Sequence, residues 1–126
     1  MPRALVVDDS RAIRTILGQY LEELGYQVAN AENGKIAVEV LNQCSDNALP
    51  AVALVDWNMP EMNGIEFVKY VRSNHRYENM RLMMVTTETQ PDQMLTALEA
   101  GANEYLMKPF TEAMVEEKLR MIGALE

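Results

Sequence analysis

Short apolar runs alternate with amphipathic stretches along the chain, and this alternation is the clearest structural signal in the sequence. Most of the apolar runs are nearly continuous and rich in Val, Leu and Met, which is typical of strands that are buried on both faces of a sheet. One run, "QVANA", is more polar and predicts a weaker strand. Strands are predicted at residues 4–8, 27–31, 52–56, 81–87 and 104–108.

After each of these runs, apolar residues recur at the spacing of a helix. In the first helix, Ile13, Leu17 and Leu21 share one face. Ser10 is the predicted N-cap of this helix and Gly25 its C′ residue, because a side-chain oxygen and a glycine suit these two positions. Further helices are predicted over about 34–45, about 64–74, from near Pro91 to Gly101, and after a predicted N-cap at Thr111.

Five βα units in succession predict an α/β fold, with a doubly wound, mostly parallel five-stranded sheet and five helices on its two faces. A length of 126 residues fits one domain, so we expect a single domain over 1–126. In sheets of this class, ligands bind beyond the carboxyl ends of the strands. The residues that directly follow the apolar runs are therefore the candidates for function.

The composition restricts the classes of binding partner and the cellular compartment that we expect for this protein. The formal net charge of −8 argues against nucleic acid or an anionic membrane as a direct partner. No apolar run approaches the roughly 18 residues that a membrane span needs. The single cysteine, Cys44, allows no internal disulfide, so we expect a reducing, cytoplasmic location and a thiol that packs as a small hydrophobe. The only histidine, His75, lies in the polar stretch "SNHRY" and is expected on the surface.

Carboxylates, a hydroxyl and an ammonium group follow the predicted strands. Because the carboxyl ends of parallel strands share one edge of the sheet, these groups are expected to converge. Three aspartates close together would raise one another's pKa unless a cation neutralises them, and oxygen ligands suit a hard ion such as Mg²⁺. The set consists of Asp8 and Asp9 after the first strand, Asp56 after the third, Thr86 in the fourth and Lys108 at the end of the fifth.

Asp56 opens the loop "DWNMPEMNG", in which proline and glycine restrict the backbone. A carboxylate held in this way can act as a nucleophile and form an aspartyl phosphate. Lys108 and a metal would offset its charge, and Thr86 could donate a hydrogen bond to a phosphoryl oxygen. Phosphoryl transfer depends mainly on such positioning and charge neutralisation.

Four motifs carry a resemblance that covers the whole chain: "VVDDS", "VDWNMPEMNG", "MVTTE" and "YLMKPF". In this order and at these spacings, the sequence resembles the receiver domains of two-component response regulators, in particular the single-domain chemotaxis regulators. The resemblance implies a flavodoxin-like strand order of 2-1-3-4-5 and no output domain. It also implies that Asp56 is the phosphoacceptor.

The same resemblance implies roles for further residues. Asp9 and Asp56 would bind Mg²⁺ directly, Asp8 through water, and Asn58 through its backbone carbonyl. Thr86 and Tyr105 would form a switch pair, and Lys108 would precede a cis bond to Pro109. The side chains of Asn58 and Glu88 would order the water that hydrolyses the aspartyl phosphate.

The function implied is a phosphorylation switch that catalyses only its own phosphorylation and dephosphorylation. A histidine kinase would be the donor, and a monomeric protein would signal through the face built from the fourth helix, the fifth strand and the fifth helix. The partner would be a flagellar motor switch or a similar target, with a phosphatase as a possible third protein. From Thr87 onward there are eight acidic residues against Lys108, Lys118 and Arg120, so this face is expected to be acidic. The alternative is a phosphorelay shuttle that passes its phosphate to a histidine phosphotransfer protein.

Three other classes of protein share part of this pattern. A flavin or dinucleotide site needs a phosphate cradle rich in Gly, Ser or Thr after the first strand, where "DDSRA" would repel phosphate. A phosphatase of the haloacid dehalogenase type has its nucleophile in an Asp-x-Asp motif after the first strand, whereas the candidate nucleophile here, Asp56, follows the third strand in the sequence "DWN". A degenerate receiver that only binds partners would lack some of the residues Asp9, Asp56, Thr86 and Lys108, all of which are present.

Overall fold

The structure is a computed structural model that describes residues 2–87 and 91–125. Strands and helices alternate along the chain, as the apolar pattern predicted. The strands are β1 (Arg3–Val7), β2 (Gln27–Ala31), β3 (Val52–Val55), β4 (Arg81–Thr86) and β5 (Glu104–Met107). The helices are α1 (Arg11–Glu23), α2 (Gly34–Gln43), α3 (Gly64–Arg72), α4 (Pro91–Ala100) and α5 (Glu112–Met121).

The five strands form one parallel sheet in the order β2-β1-β3-β4-β5, which confirms the predicted fold class and strand order. The central strand β3 is buried along its whole length, which explains its continuous run "VALV". Val55 at its end pairs with Val7 of β1 and with Met84 of β4. The residues that follow these strands therefore begin at nearly the same level of the sheet.

Two apolar layers cover the sheet, one on each face. Because successive residues of a strand point to opposite faces, Leu5 and Val7 of β1 pack in one layer and Ala4 and Val6 in the other. The first layer includes residues of α2, α3 and α4, and the second includes residues of α1 and α5. This distribution of helices is the doubly wound arrangement that the sequence predicted.

Local capping confirms the predicted helix starts. The side chains of Ser10 and Thr111 accept hydrogen bonds from the backbone N–H groups of Ile13 and Met114, respectively. Gly25 follows α1 with a φ of 99°, a conformation that favours glycine. None of the helices within residues 2–87 and 91–125 combines the length and apolar character that a bilayer crossing requires.

Several predicted boundaries were wrong by one or two residues. Four strands end one residue earlier than predicted, before Asp8, Asp56, Thr87 and Lys108. The backbone N–H groups of Asp8, Asp56 and Lys108 still donate to carbonyls of a neighbouring strand, so these residues are the last that contact the sheet through their backbone N–H groups. α2 ends at Gln43, since Cys44 takes up an extended conformation with a ψ of 140°.

Cys44 is half-buried at the end of α2, and its thiol donates a hydrogen bond to the carbonyl of Val40 at 3.3 Å. Two short 3-10 turns, Asp46–Ala48 and His75–Tyr77, were not predicted. The side chain of His75 lies fully exposed, as expected.

Candidate functional site

The three aspartates converge at the carboxyl edge of the sheet. Carboxylate oxygens of Asp8, Asp9 and Asp56 all lie within 4.8 Å of one another. Asp8 and Asp56 are buried, with 1% and 7% of their surface exposed, whereas Asp9 is exposed. The site is therefore open to solvent on the side of Asp9 and closed beneath the other two carboxylates.

Asp8 is the most firmly held of the three aspartates. One carboxylate oxygen accepts a hydrogen bond from the backbone N–H of Ser10 at 2.8 Å, and the other accepts from Lys108 Nζ at 2.9 Å. Its backbone carbonyl accepts a hydrogen bond from Arg14 Nη1 at 2.6 Å. Asp8 thus joins the ends of β1 and β5 to the first turn of α1.

Asp56 is less tightly paired. Its Oδ1 accepts a hydrogen bond from the backbone N–H of Trp57 at 2.8 Å and lies 3.6 Å from Lys108 Nζ. Burial, and then the neighbouring charge of Asp8, raise the pKa of Asp56 to about 6, with a smaller contribution from Asp9. Lys108 and the Trp57 N–H oppose this rise, because both stabilise the ionised carboxylate.

The loop that carries Asp56 folds back on itself. The Gly64 N–H donates to the carbonyl of Trp57 at 2.9 Å, and the Gly34 N–H donates to the carbonyl of Met62 at 3.1 Å. A Cβ on Gly64 would overlap the carbonyl oxygen of Asp56. The loop therefore needs glycine at position 64 to bring the start of α3 against Asp56.

Two methionines of this loop, Met59 and Met62, pack against the apolar layer and anchor the loop there. The loop ends in a capping box: Asn63 accepts from the Glu66 N–H at 2.9 Å, and Glu66 accepts from the Asn63 N–H at 3.1 Å. The sequence analysis missed this box, although the pattern Asn-x-x-Glu before an apolar run is a known sign of one.

The donor set fits a hard divalent cation. All three side chains offer carboxylate oxygens, which Mg²⁺ prefers, and there is no thiolate or imidazole in the cluster. Exposed Asp9 leaves room for the water ligands that Mg²⁺ usually retains. Burial is the main cause of the raised pKa of Asp56, and the charges of Asp8 and Asp9 add to it; a cation between the carboxylates would offset these charges.

The other candidate residues differ in their burial and in their position relative to the aspartate cluster. Thr86 is fully buried at the end of β4, and its carbonyl accepts a hydrogen bond from the Lys108 N–H at 3.0 Å. Tyr105 on β5 is 4% exposed and belongs to the apolar layer on the face of α3 and α4. Asn58 is exposed on the loop that follows Asp56, two residues after it, while Glu88 lies outside the described residues.

The peptide bond between Lys108 and Pro109 is cis, as the resemblance implied. The residue that sequence reasoning missed altogether is Arg14. Its contact is with a backbone carbonyl six residues away, and no local pattern marks such a contact.

Comparisons with known proteins agree on one family. The profile described as "Response regulator receiver domain" matches residues 4–120. Chemotaxis protein CheY1 of Helicobacter pylori is 45% identical over 121 residues, which cover 95% of this chain and 95% of that protein. A chemotaxis protein CheY homolog of Campylobacter jejuni is 47% identical over 118 residues, covering 93% of this chain and 88% of that protein.

Solved structures give the same answer for the fold. The structure of chemotaxis protein CheY4 of Vibrio cholerae superimposes with a TM-score of 0.88 at 34% identity, covering 97% of this chain and 98% of that one. The likeness extends over the whole sheet and both helical layers.

Proposed function

This chain belongs to the response regulator receiver family, and from that membership we propose that it is a phosphorylation switch with Asp56 as its phosphoacceptor. The observation that carries the proposal is the buried Asp56 carboxylate, which lies beside Asp8 and Asp9 with Lys108 Nζ at 3.6 Å. A cation on one side and an ammonium group on the other are what a phosphoryl group on this carboxylate would require.

In the proposed reaction, an Asp56 carboxylate oxygen attacks the phosphorus of a phosphohistidine on a histidine kinase. The new O–P bond forms as the N–P bond breaks, and the imidazole leaves with the electron pair. Lys108, which already contacts both Asp8 and Asp56, neutralises part of the charge on the transferred group. Hydrolysis of the aspartyl phosphate later returns the carboxylate, so the domain catalyses only its own phosphorylation and dephosphorylation.

We assign the metal to Mg²⁺, held directly by Asp9 and Asp56, through water by Asp8, and by the backbone carbonyl of Asn58. The bound ion would supply charge neutralisation at the phosphoryl oxygens. The all-oxygen donor set and the exposure of Asp9 support this assignment.

Output is proposed to run through Thr86 and Tyr105. Thr86 would move toward the phosphoryl group, and Tyr105 would turn into the space that Thr86 leaves. Both side chains are buried in the present structure, so such a change would alter packing between β4, β5 and α4. Two packings of this kind need differ by only a few kcal/mol for phosphorylation to shift the population between them.

The surface of α4, β5 and α5 is the proposed contact face for a target protein. The expected acidic character is moderated there, because Glu104 pairs with Lys118 at 3.3 Å and Glu116 with Arg120 at 3.0 Å. The same face exposes Leu95, Leu98, Met107 and Met114. Since the relatives are chemotaxis proteins, we propose a target in chemotaxis, such as a flagellar motor switch.

The acceptor assignment is tested with a small phosphodonor. Acetyl phosphate and Mg²⁺ should add one phosphoryl group to the wild-type protein and none to Asp56→Asn, as read by intact mass spectrometry. Asp9→Asn, which keeps the shape of a proposed metal ligand, should need much more Mg²⁺ for the same labelling. Equal labelling of Asp56→Asn would place the acceptor elsewhere.

The lifetime of the phosphoryl group separates the switch from a phosphorelay shuttle. In Mg²⁺ buffer without other proteins, the switch should lose its phosphate within seconds to minutes, and Asn58→Lys or Glu88→Lys should slow the loss by displacing the attacking water. A lifetime of many hours, unaltered by either substitution, would favour transfer to a histidine phosphotransfer protein.

A further inference from the structure

A cavity of about 550 Å³ lies at the amino edge of the sheet, opposite the aspartate cluster. We call it the basal pocket, and it is formed where β3 and β4 begin and α5 ends. Its walls come from three segments, residues 49–51, residues 76–81 without Glu78, and residues 123–124, together with Asp46. Its volume lies within the range of small-molecule sites in proteins.

Two arginines of the basal pocket differ in how far their hydrogen-bonding capacity is used. Arg76 donates to the carbonyls of Leu41 and Cys44, to the Tyr77 hydroxyl and to Asp46. Arg81 donates only from Nε to the Ile122 carbonyl at 2.7 Å and from Nη1 to the Asn79 carbonyl at 3.1 Å. Within residues 2–87 and 91–125, Arg81 Nη2 has no hydrogen-bond partner.

Among the described residues, the lining of the basal pocket contains two arginines, Arg76 and Arg81, and one carboxylate, Asp46. Burial, and then the charge of Arg81, lower the pKa of Arg72, which lies behind the pocket wall. The carboxylate in the wall is Asp46, and Arg76 Nε already pairs with it at 2.8 Å. The described lining therefore carries a net positive charge, on a chain whose formal net charge is −8.

We propose that the basal pocket binds a small organic phosphate monoester, with its phosphate on the Nη2 edge of Arg81. The two N–H groups of Nη2 belong to a charged guanidinium, and such groups form strong, charge-assisted hydrogen bonds to phosphate oxygens. The apolar wall formed by Leu49, Pro50 and Met80 suits a flat, uncharged body attached to that phosphate. Through this site a small molecule could bind at the edge of the sheet opposite Asp56, independently of the proposed phosphorylation.

The test uses adenosine monophosphate as the probe, because it joins a phosphate monoester to a flat body. Isothermal titration calorimetry is done in buffer with EDTA, so that no cation can hold the nucleotide at the aspartate cluster, which repels anions. Adenosine monophosphate should bind and adenosine should not. Two-dimensional amide NMR should place the shifts at residues 76–81 and 123–124 and leave the amides around Asp56 unchanged.

Removing a positive charge and removing a negative charge from the basal pocket should change the affinity for adenosine monophosphate in opposite directions. Arg81→Gln should weaken binding about tenfold or more, since it removes the positive charge and the charge-assisted hydrogen bonding of Nη2, and Arg81→Lys should be intermediate. Asp46→Asn should tighten binding, because it removes the carboxylate of the described pocket lining. The Asp46 side chain is 88% exposed, so losing its ion pair with Arg76 should cost less than about 1 kcal/mol of unfolding free energy. Arg11→Gln, an exposed arginine at the opposite edge of the sheet, is the matched control and should bind as the wild type does.

The absence of binding by adenosine monophosphate would overturn the proposal, as would NMR shifts centred on Asp8 and Asp56. Weaker binding by Asp46→Asn would overturn it as well, even if Arg81→Gln proved too unstable to measure. None of these outcomes bears on the labelling of Asp56 by acetyl phosphate, so failure of the pocket and failure of the proposed switch are separate results.

Discussion

Lys108 is shared unequally between the two buried aspartates. Its ammonium group lies 2.9 Å from Asp8 and 3.6 Å from Asp56. Asp8 therefore receives most of the compensation, while Asp56 remains a buried carboxylate with a raised pKa. This inequality suits the proposed roles, because a nucleophile needs an oxygen that is not fully engaged in strong hydrogen bonds.

The raised pKa of Asp56 predicts a pH dependence of stability in metal-free protein. The pKa is about 6 in the folded state against an ordinary value of 3.8, so the folded protein binds this proton more tightly than the unfolded chain does. The contribution is therefore present below about pH 4 and is lost as pH rises through 6, by at most about 3 kcal/mol. Urea unfolding in EDTA from pH 4 to 7.5 should show this loss in the difference between wild type and Asp56→Asn.

Adding Mg²⁺ at pH 7.5 should restore stability to the wild type, since the cation then offsets the charge that the proton offset at low pH. If the difference in unfolding free energy between wild type and Asp56→Asn stays constant from pH 4 to 7.5, folding does not raise the pKa of Asp56.

Gly64 predicts a second effect at the scale of one residue. In Gly64→Ala the new Cβ would meet the Asp56 carbonyl and lie 2.9 Å from Met84 Cε, which should cost about 1–3 kcal/mol of unfolding free energy and slow phosphorylation. Gly18→Ala in α1 is the matched control, because its Cβ would meet only Val28 Cγ1 at 3.9 Å. Since alanine is the better helix former, the control should be neutral or stabilising in urea unfolding.

Arg72 holds the end of α4 through hydrogen bonds to backbone carbonyls. Of its described residues only Ala97 is buried, while Leu95 and Leu98 are 56% and 45% exposed. Just beyond its end, the Gly101 carbonyl accepts from Arg72 Nε at 2.9 Å. Arg72 Nη2 also donates to Met80 at 2.8 Å, so the end of α4 is tied to the turn before β4.

Loss of this tie should loosen α4 selectively. Arg72→Ala is expected to raise amide hydrogen exchange in residues 92–102 more than in α1, and to cost about 1–3 kcal/mol of unfolding free energy, because several carbonyls lose a charged donor. Arg120→Ala, which removes one exposed ion pair with Glu116, should change the unfolding free energy by less than about 1 kcal/mol. A uniform rise in exchange over the whole sheet would argue against a local anchor.

The two edges of the sheet have opposite chemical character. Carboxylates gather at the carboxyl edge, and arginines gather at the amino edge, where they donate to carbonyls at the ends of helices. The helix-end carbonyls that accept from these arginines are Leu41 and Cys44 at α2, Gly101 at α4 and Ile122 at α5. These hydrogen bonds fix the helix ends at the amino edge, and the residues of the candidate site lie on the loops at the carboxyl edge.

At the scale of the whole molecule, the proposed output face should be separable from the phosphoacceptor site. Protein treated with Mg²⁺ and the phosphate analogue beryllofluoride should capture its target, and Leu95→Asn with Leu98→Asn should lose that target while acetyl phosphate still labels Asp56. Both leucines are exposed, so the double variant should keep its unfolding free energy within about 1 kcal/mol. Capture that survives the double variant would move the contact to another face.

Local features of the sequence determined the helices and strands, and also which residues come together in the candidate site. Ser10 and Thr111 cap helices, and Gly25 ends one, through hydrogen bonds and backbone angles within a few residues, which a local pattern can specify. The positions of Asp8 and Asp56 directly after buried strands were also sufficient to bring them together, because parallel strands end at one edge.

Only the tertiary structure decided how those residues share their charges. The preference of Lys108 for Asp8 depends on the relative placement of β1, β3 and β5, and Lys108 is 100 residues from Asp8 in the chain. The contacts of Arg14 and Arg81, and all but one of those of Arg72, are with backbone carbonyls, which every residue possesses, so no residue type marks these partners. Long side chains can reach many such carbonyls, and the packing of helices on the sheet selects among them.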